Sequence, residues 1–297
     1  MEHVPVLLKE SADGLQLSDG ATVIDATING GGHTREFLKR IGIKGHVIGI
    51  DWDREVIKMR EKEWEDDPRV TLINSNFSCL EKVAGSLIAS RDIGTRSGPD
   101  AIFFDLGLSS FQLNASGRGF SFSDSGPLTM TIDPDMHPDL KEFIQRSTEE
   151  EIANVIWKYG EERRSRKIAR AIKISFRQGK VKTASDLAKV VSRVQKTRGK
   201  IHAATKTFQA FRIYLNHELE NLDDGLKEAF KILRPGGRIA VICFHSLEDR
   251  IVKNYFKNLA KADTAIIITK KPIRPNDSEI KANPRSRSAK LRILEKI

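Results

Sequence analysis

The strongest constraint on the fold is an order that repeats through the first hundred residues: a short apolar run, a helical pattern, then another short apolar run. Val23-Ile24-Asp25-Ala26 leads into the turn Thr27-Ile28-Asn29-Gly30-Gly31-Gly32, after which Phe37, Leu38 and Ile41 step at helical spacing. His46-Val47-Ile48-Gly49-Ile50-Asp51 is a second run, Val70-Thr71-Leu72-Ile73 a third and Asp100-Ala101-Ile102-Phe103-Phe104-Asp105 a fourth. Helical patterns separate them, one carrying Val56, Ile57 and Met59, another near residues 78–90. The runs are apolar throughout rather than alternating, so each strand must be covered on both faces. Strands and helices in this order predict an α/β fold with a parallel sheet.

The alternation stops after residue 108. Residues 109–204 begin with Gly/Ser/Pro-rich stretches and continue with short helices around 138–145, 148–159, 163–178 and 184–196. Ser147-Thr148 before Glu150-Glu151, and Thr183-Ala184-Ser185-Asp186, are helix-start signals. From Thr205 a long helical pattern resumes through Phe208, Phe211, Leu215, Leu219, Leu222, Leu226, Phe230 and Leu233. Leu233-Arg234-Pro235-Gly236-Gly237-Arg238 reads as a turn, and Ile239 to Phe244 as a fifth buried strand. Strand-like pieces at 265–269 and 290–294 follow. The expected organisation is a discontinuous sheet domain, 1–108 with 205–297, interrupted by a helical domain at 109–204.

Charge adds a partner. The chain carries 50 Lys+Arg against 40 Asp+Glu, a formal net charge of +10. The excess is local: from Arg163 to Arg212 there are 16 Lys/Arg and one acid, Asp186, a net charge of +15, while the remainder carries 34 basic and 39 acidic residues. A one-signed block this dense repels itself and calls for a polyanion, nucleic acid ahead of an anionic membrane. Its side chains also have helical spacing. Arg166, Arg170, Lys173 and Arg177 fall on one face, and Ile168, Ala171, Ile172 and Phe176 on another, one side for phosphates and one for a core. The chain has no run of about 18 apolar residues. Its opening Met1-Glu2-His3-Val4-Pro5 lacks signal-peptide regions, so a cytoplasmic protein is expected. Cys79 and Cys243 read as reduced core residues, and no ligand pair has zinc spacing, so no metal is expected.

The glycine turn points to a cofactor. Between a strand and a helix, glycines let backbone approach a ligand, and the helix start favours polar or anionic groups. Asp51, 19 residues after Gly32, ends the second strand where an acid can accept both hydroxyls of a ribose. As an exposed strand-end acid it should contribute little to packing. A dinucleotide site would prefer Gly-x-Gly-x-x-Gly, and Gly30-Gly31-Gly32-His33-Thr34-Arg35 lacks the third glycine. S-adenosylmethionine has no pyrophosphate to cradle, and its amino-acid end can use turn amides and an acid. The Leu-x-Pro-Gly-Gly turn before the fifth strand is also common in methyltransferases of this architecture. S-adenosylmethionine is therefore favoured over NAD, the cofactor of the alternative, a nicotinamide-dependent reductase.

At these residues the sequence resembles the ribosomal RNA small subunit methyltransferase H family, also called RsmH or MraW. The matching strings include His3-Val4-Pro5-Val6-Leu7-Leu8, Asp25-Ala26-Thr27 through Gly30-Gly31-Gly32-His33, and Asp105-Leu106-Gly107-Leu108-Ser109-Ser110 followed by Gln112-Leu113. Further on come Arg118-Gly119-Phe120-Ser121-Phe122, Tyr159-Gly160-Glu161-Glu162, Ala204-Thr205-Lys206-Thr207-Phe208-Gln209-Ala210, Phe244-His245-Ser246-Leu247-Glu248-Asp249-Arg250 and Asn283-Pro284-Arg285-Ser286-Arg287-Ser288. They run in family order from residue 3 to 288. The resemblance implies a class I Rossmann-like, S-adenosylmethionine-dependent methyltransferase with an inserted helical domain. It implies methylation of N4 of cytidine 1402 in 16S rRNA of the small ribosomal subunit. Carried over, the cofactor contacts would be Gly31, Gly32 and His33 in the turn, Asp51, Phe77 as a plate for adenine, Asp105 for an ammonium, and Gln112.

One string departs from the family. Where Pro-Leu-Asp-Met-Arg-Met-Asp is usual, this chain has Pro127-Leu128-Thr129-Met130-Thr131-Ile132-Asp133. An acid and an arginine give way to threonines, which keeps open a catalytically divergent RNA-binding or ribosome-assembly paralogue of the same fold. The Asn/Asp-Pro-Pro-aromatic turn of many amino-methyltransferases is missing, since the position reads Asp105-Leu106-Gly107-Leu108. Asp133, His245 and Glu248 are candidates for a proton acceptor, and the choice among them stays open.

Overall fold

A computed structural model describes residues 5–83, 98–114, 116–133, 135, 138–195 and 202–297. Most of the helix expected near 78–90 lies outside the described residues, as do His3, Val4, Lys196, Arg198 and Lys200. The chain divides into two compact units, Met1–Ser109 with Leu219–Ile297, and Ser110–Glu218. No helix among the described residues is long and apolar enough to cross a membrane.

The first unit is built on seven strands: β1 Thr22–Asp25, β2 His46–Asp51, β3 Val70–Asn74, β4 Ala101–Asp105, β5 Arg238–Cys243, β6 Ala265–Ile267 and β7 Lys290–Lys296. Their order is β3-β2-β1-β4-β5-β7-β6. The ladders from β3 to β5 are parallel, and β7 pairs antiparallel with β5 and β6. The order reverses at β1, so a crevice opens beyond the carboxyl ends of β1 and β4, the usual ligand position in such sheets. This is the doubly wound, Rossmann-like fold. Every residue of β1, β2 and β4 is buried. Ile24, Ile48, Ile102, Phe104 and Val241 belong to one core, and their neighbours Val23, Val47, Phe103, Ala240 and Ile242 to another. Helices α1 Leu8–Leu15 and α2 Gly32–Ile41 cover the second core, where Phe37 meets Phe103 edge-on at 5.3 Å. Helix α3 is Arg54–Glu63.

The second unit is helical: α4 Ser110–Asn114, α5 Leu140–Arg146, α6 Glu149–Gly160, α7 Ser165–Arg177, α8 Ala184–Val194 and α9 Thr205–Leu215. Thr148 with Glu151, and Thr183 with Asp186, form capping boxes at the starts of α6 and α8. The expected end of the insertion at 204 is corrected to Glu218. The apolar pattern from 208 to 233 is two helices, α9 and α10 Glu218–Ile232, broken where Asn216 caps α9 and His217 turns left-handed at φ 50°. Helix α9 packs on α6 closely enough that a Cβ on Gly160 would lie 2.4 Å from the Lys206 carbonyl oxygen. Phe208 and Phe211 meet Phe122 and Phe143 at 4.8 and 6.1 Å, and buried Asn216 accepts the Ile132 amide proton and donates to the Met130 carbonyl.

Helix α7 carries the expected amphipathic pattern with one reassignment. Ile168, Ala169 and Ile172 are buried, Ala171 and Phe176 half-buried, and Arg166, Arg170 and Arg177 exposed. Lys173 leaves the phosphate face: it is buried, and its Nζ donates to the Ile144 and Gln145 carbonyls at 2.9 and 3.3 Å. Those carbonyls end α5, where a cation is favoured by the helix dipole. In the departing string, Thr129 Oγ1 donates to the Arg118 carbonyl and Thr131 is buried, so both threonines are absorbed within the unit. Asp133 Oδ1 accepts the Asp135 amide proton in a local turn. Gln112 is buried within α4 and its carbonyl accepts from Ser116 Oγ.

Candidate cofactor site at the carboxyl edge of the sheet

The first unit's strand ends converge on one turn. Ile28 N–H donates to the Ile50 carbonyl, and Gly31 N–H closes the turn on the Ile28 carbonyl at 2.7 Å. Asn29 is its pivot. Held at φ 46°, a conformation that Asn tolerates better than most residues, it donates its amide proton to Asp51 Oδ2 (3.0 Å) and its side-chain Nδ2 to the Asp105 carbonyl (3.1 Å). One residue thus ties the ends of β2 and β4 together. Thr27 Oγ1 accepts the Asp105 amide proton at 2.6 Å.

The glycines serve the protein as much as any ligand. Gly31 has φ +73°, and a Cβ there would lie 2.6 Å from Trp64 Cη2; a Cβ on Gly32 would lie 2.9 Å from Pro5 Cγ. The Gly30 carbonyl accepts from Arg60 (3.0 Å) and Arg35 (3.2 Å), so the outer side of the turn is braced. Gly31 caps α2 without any side-chain bond. The start of α2 carries the positive end of the helix dipole and favours an anionic group.

Buried acids gather at this edge: Asp25, Asp51 and Asp105 end β1, β2 and β4, with Asp53 and Glu248 beside them. Asp25, ending β1, accepts from Thr34 Oγ1 (2.6 Å) and the Thr27 amide (3.3 Å), and burial pushes its pKa up to about 6. Asp51 accepts the Asp53 and Asn29 amide protons, at 2.9 and 3.0 Å. Burial, reinforced by Asp53 and Asp25, still pushes its pKa up to about 7. Asp51 is not the exposed strand-end acid expected: only 8% of it is exposed, because it holds the turn. Burial raises Asp105 well above the carboxylate range, and the negative charges of Asp25 and Glu248 add to the effect. Its Oδ2 stands 3.6 Å from His33 Nδ1, while its Oδ1 is buried with no hydrogen-bond partner among the described residues. An orphaned buried acceptor costs roughly 1–3 kcal/mol, and more when charged, unless something pairs with it.

His33 stands behind Asp105. Its Nε2 lies 3.0 Å from the Val6 carbonyl, which can only accept, so Nε2 carries the proton. The ring rests 4.5 Å from Phe103 and is buried. Phe77, in the 3-10 turn Phe77–Cys79 after β3, is half-buried and meets Phe104 edge-on at 5.6 Å. A Cβ on Gly225 of α10 would lie 2.6 Å from its ring, so that glycine makes room for it. Gln112 belongs to the other unit.

His245 caps α11, Ser246–Lys261, with Nδ1 accepting the Glu248 amide proton at 3.4 Å. Glu248 Oε2 accepts the amide protons of Phe244 (2.7 Å) and His245 (3.2 Å). His245 Nε2 and Glu248 Oε1 are 3.0 Å apart without the alignment of a hydrogen bond. The cap is therefore His245 rather than Ser246. Asp249 is used elsewhere, by Lys290 (2.8 Å) and Arg292 (2.7 Å), which hold it below the usual carboxylate range despite its burial. Of the cysteines, Cys243 is buried in β5, where burial drives its thiol up, and Cys79 is exposed, contrary to the expectation of a core residue.

Asn29, Thr27, Asp25 and Thr34 complete the edge, and the sequence pattern does not single them out as site residues. An asparagine beside three glycines, and an acid followed by threonines at the end of a buried strand, are the available signals.

A family model described as the MraW methylase family matches residues 1–297. The chain is 41% identical to a protein named "Ribosomal RNA small subunit methyltransferase H" from Stenotrophomonas maltophilia (strain K279a), over 99% of this chain and 93% of that one. It is 43% identical to a protein of the same name from Koribacter versatilis (strain Ellin345), over 98% and 92%. Among solved structures, an rRNA methylase from Streptococcus thermophilus superposes with a TM-score of 0.43 at 13% identity, covering 98% of this chain and 93% of that one.

Proposed function

The chain belongs to the MraW methylase family, and from that premise we propose that it methylates N4 of cytidine 1402 in 16S rRNA of the small ribosomal subunit, in the cytoplasm. S-adenosylmethionine is its cofactor and supplies an electrophilic methyl carried on a sulfonium. The observation that carries the site assignment is Asp105 Oδ1, buried and without a hydrogen-bond partner among the described residues, at the switch point of the sheet and within reach of the charges of Asp25 and Glu248. Such an edge is short of positive charge, and the ligand brings an ammonium and a sulfonium.

In this reading Asp105 takes the ammonium on its open oxygen. Gly31, Gly32 and His33 form the turn against which the amino-acid end of the ligand lies, where the start of α2 favours its carboxylate. Asp51 accepts the ribose hydroxyls through the lone pairs that its two amide bonds leave over. Phe77 flanks the adenine, and Gln112 is a further cofactor contact. The target base leaves its stack to reach the methyl, and exposed Arg166, Arg170 and Arg177 of α7 hold the RNA backbone.

Methyl transfer is an in-line displacement, so positioning of the amine supplies much of the rate. Asp133, His245 and Glu248 all have local duties in turns or caps, and none is given the role of base. The test is incubation with labelled S-adenosylmethionine and undermodified small subunits, followed by mapping of the labelled nucleotide. N4-methylcytidine at position 1402 is expected. Label at another position refutes the target assignment, and cofactor binding without transfer favours the assembly-factor alternative.

A further inference from the structure

The acidic edge of the sheet has a basic neighbour. Strand β7 is antiparallel to β5, with Lys290 opposite Cys243 at the carboxyl end of β5. The start of β7 therefore lies at the same edge as Asp25, Asp51 and Asp105. Ile273 and Leu291 exchange backbone hydrogen bonds at 3.0 and 2.9 Å, which brings Arg274 to this end as well. The chain enters β7 from helix α12, Asp277–Ala282, through the 3-10 turn Pro284–Ser288. That turn is pinned by buried Ser286, whose Oγ donates to the Asn283 carbonyl at 2.8 Å, and it leaves Arg285 and Arg287 exposed.

From Lys270 to Lys290 there are seven basic residues and two acids, Asp277 and Glu279. Glu279 is engaged, since its Oε1 accepts the Leu7 amide proton at 2.8 Å. Elsewhere in this unit arginines are neutralised at home: Arg35, Arg40, Arg69, Arg234, Arg238 and Arg292 each pair with a carboxylate. Exposed Arg274, Lys281 and Arg287 have no carboxylate partner among the described residues, and neither has Arg54 on α3. Three such cations in one short segment, two of them the planar donor suited to phosphate, form a surface for an anion.

We propose that the segment from Lys270 to Arg287 is an RNA-backbone surface on the methyltransferase unit itself, gripping phosphates that flank the extruded nucleotide. Ile273 adds on the far side of β7 from β5, so the segment stands three strand spacings from β4, about 14 Å, and one surface can hold the strand while the base reaches the edge where Asp105 lies. The arrangement divides the charges between two ligands, with acids facing the cationic cofactor and arginines facing the substrate backbone. The inference rests on the reading of the protein as an RNA methyltransferase.

The test uses the full chain, undermodified small ribosomal subunits and labelled S-adenosylmethionine, with KM followed against salt. In the R274A/R287A variant the log–log salt slope should become shallower by about 1.4–1.8, two phosphate contacts at roughly 0.7–0.9 each. The R274E/R287E variant should raise KM further at low salt. Cofactor affinity by calorimetry should stay unchanged in both, which also shows that they are folded. A steep wild-type slope that both variants reproduce would overturn the proposal. Wild-type capture by phosphatidylserine vesicles, with variant kinetics on subunits unmoved, would assign the surface to membrane and overturn it too. A wild type that fails to methylate subunits at all overturns the functional reading beneath it, and the two failures are told apart by which protein fails.

Discussion

Replacing Asp105 with Asn should move binding and stability in opposite directions. The substitution keeps the shape of the side chain and removes its charge. In the protein without ligand the carboxylate is held at a cost: it is buried, its Oδ1 has no hydrogen-bond partner among the described residues, and Asp25 and Glu248 repel it. A carboxyl whose folded pKa is raised binds its proton more tightly folded than unfolded. Its favourable contribution is therefore present at low pH and is lost as pH rises from the unfolded value near 3.8 through the raised folded value. An amide has no such penalty. Asp105→Asn should leave the melting temperature of the ligand-free protein equal to or above wild type at pH 8, and should flatten its decline with pH. Cofactor binding should weaken, because a charge-assisted bond to the ammonium is worth about 1.5–3 kcal/mol. At 1.4 kcal/mol per factor of ten this is roughly a 10- to 150-fold rise in Kd. Isothermal titration calorimetry and a melting series from pH 5 to 8 measure both quantities. Unchanged affinity would remove Asp105 from the site, and a melting temperature lowered by several degrees at pH 8 would refute the view that its charge is a burden awaiting a cation.

Asp51 must be ionised to accept both ribose hydroxyls, and burial pushes its pKa up to about 7, so affinity for S-adenosylmethionine should fall by up to about tenfold per pH unit below that value; a flat titration from pH 5 to 8 would contradict this. Asp51→Ala should weaken binding by roughly 1–3 kcal/mol and also lower the melting temperature, since the Asn29 and Asp53 amides lose their acceptor. Lys173→Met should destabilise the helical unit without altering the salt slope of RNA binding, whereas the R166A/R170A/R177A triple should flatten that slope by about 2–3; the reverse pattern would return Lys173 to the RNA face. The C79S/C243S variant should keep substantial methylation with an N4-methylcytidine product, because an exocyclic amine needs no thiolate to activate its ring; 5-methylcytidine by mass spectrometry would refute the mechanism.

What can be read from the residues alone divides along physical lines. Strands such as Ala101–Asp105 declare themselves because burial on both faces forces an unbroken apolar run, and the glycine turn declares itself because few contexts demand three consecutive glycines. The break at Asn216-His217 is invisible in the sequence: Phe208 to Leu233 keeps helical spacing across it, and the turn depends on Asn216 bonding to Met130 and Ile132, contacts that no local pattern encodes. Lys173 misleads for the same reason. Its spacing matches that of the exposed arginines, and only the end of α5 beside it, distant in sequence, draws it inward. Within the site, Asp51 and Asp105 are legible as strand-end acids, but their burial and mutual repulsion are not, because these follow from carboxylates converging from separate strands. The contacts of Gly31 and Gly32 with Trp64 and Pro5 are equally hidden, since each joins residues far apart or on opposite sides of the turn.

The bond from the Leu7 amide to Glu279 spans 272 residues of chain, and it sets a schedule for synthesis. Pro5 and Val6 brace Gly32 and His33, yet the contact that secures Leu7 beside them arrives only when α12 has been made, together with the strand β7 that covers the edge of β5. At roughly 5–20 residues per second, the interval between the two partners is on the order of 15–55 s. Once β5 emerges, and until β7 follows, a nascent chain exposes the apolar ladder of β5 as an open edge, a template for wrong pairing. Translation speed between the codons of β5 and β7 is therefore a variable on which yield should depend, and S-adenosylmethionine can act as a folding ligand only once that interval has closed.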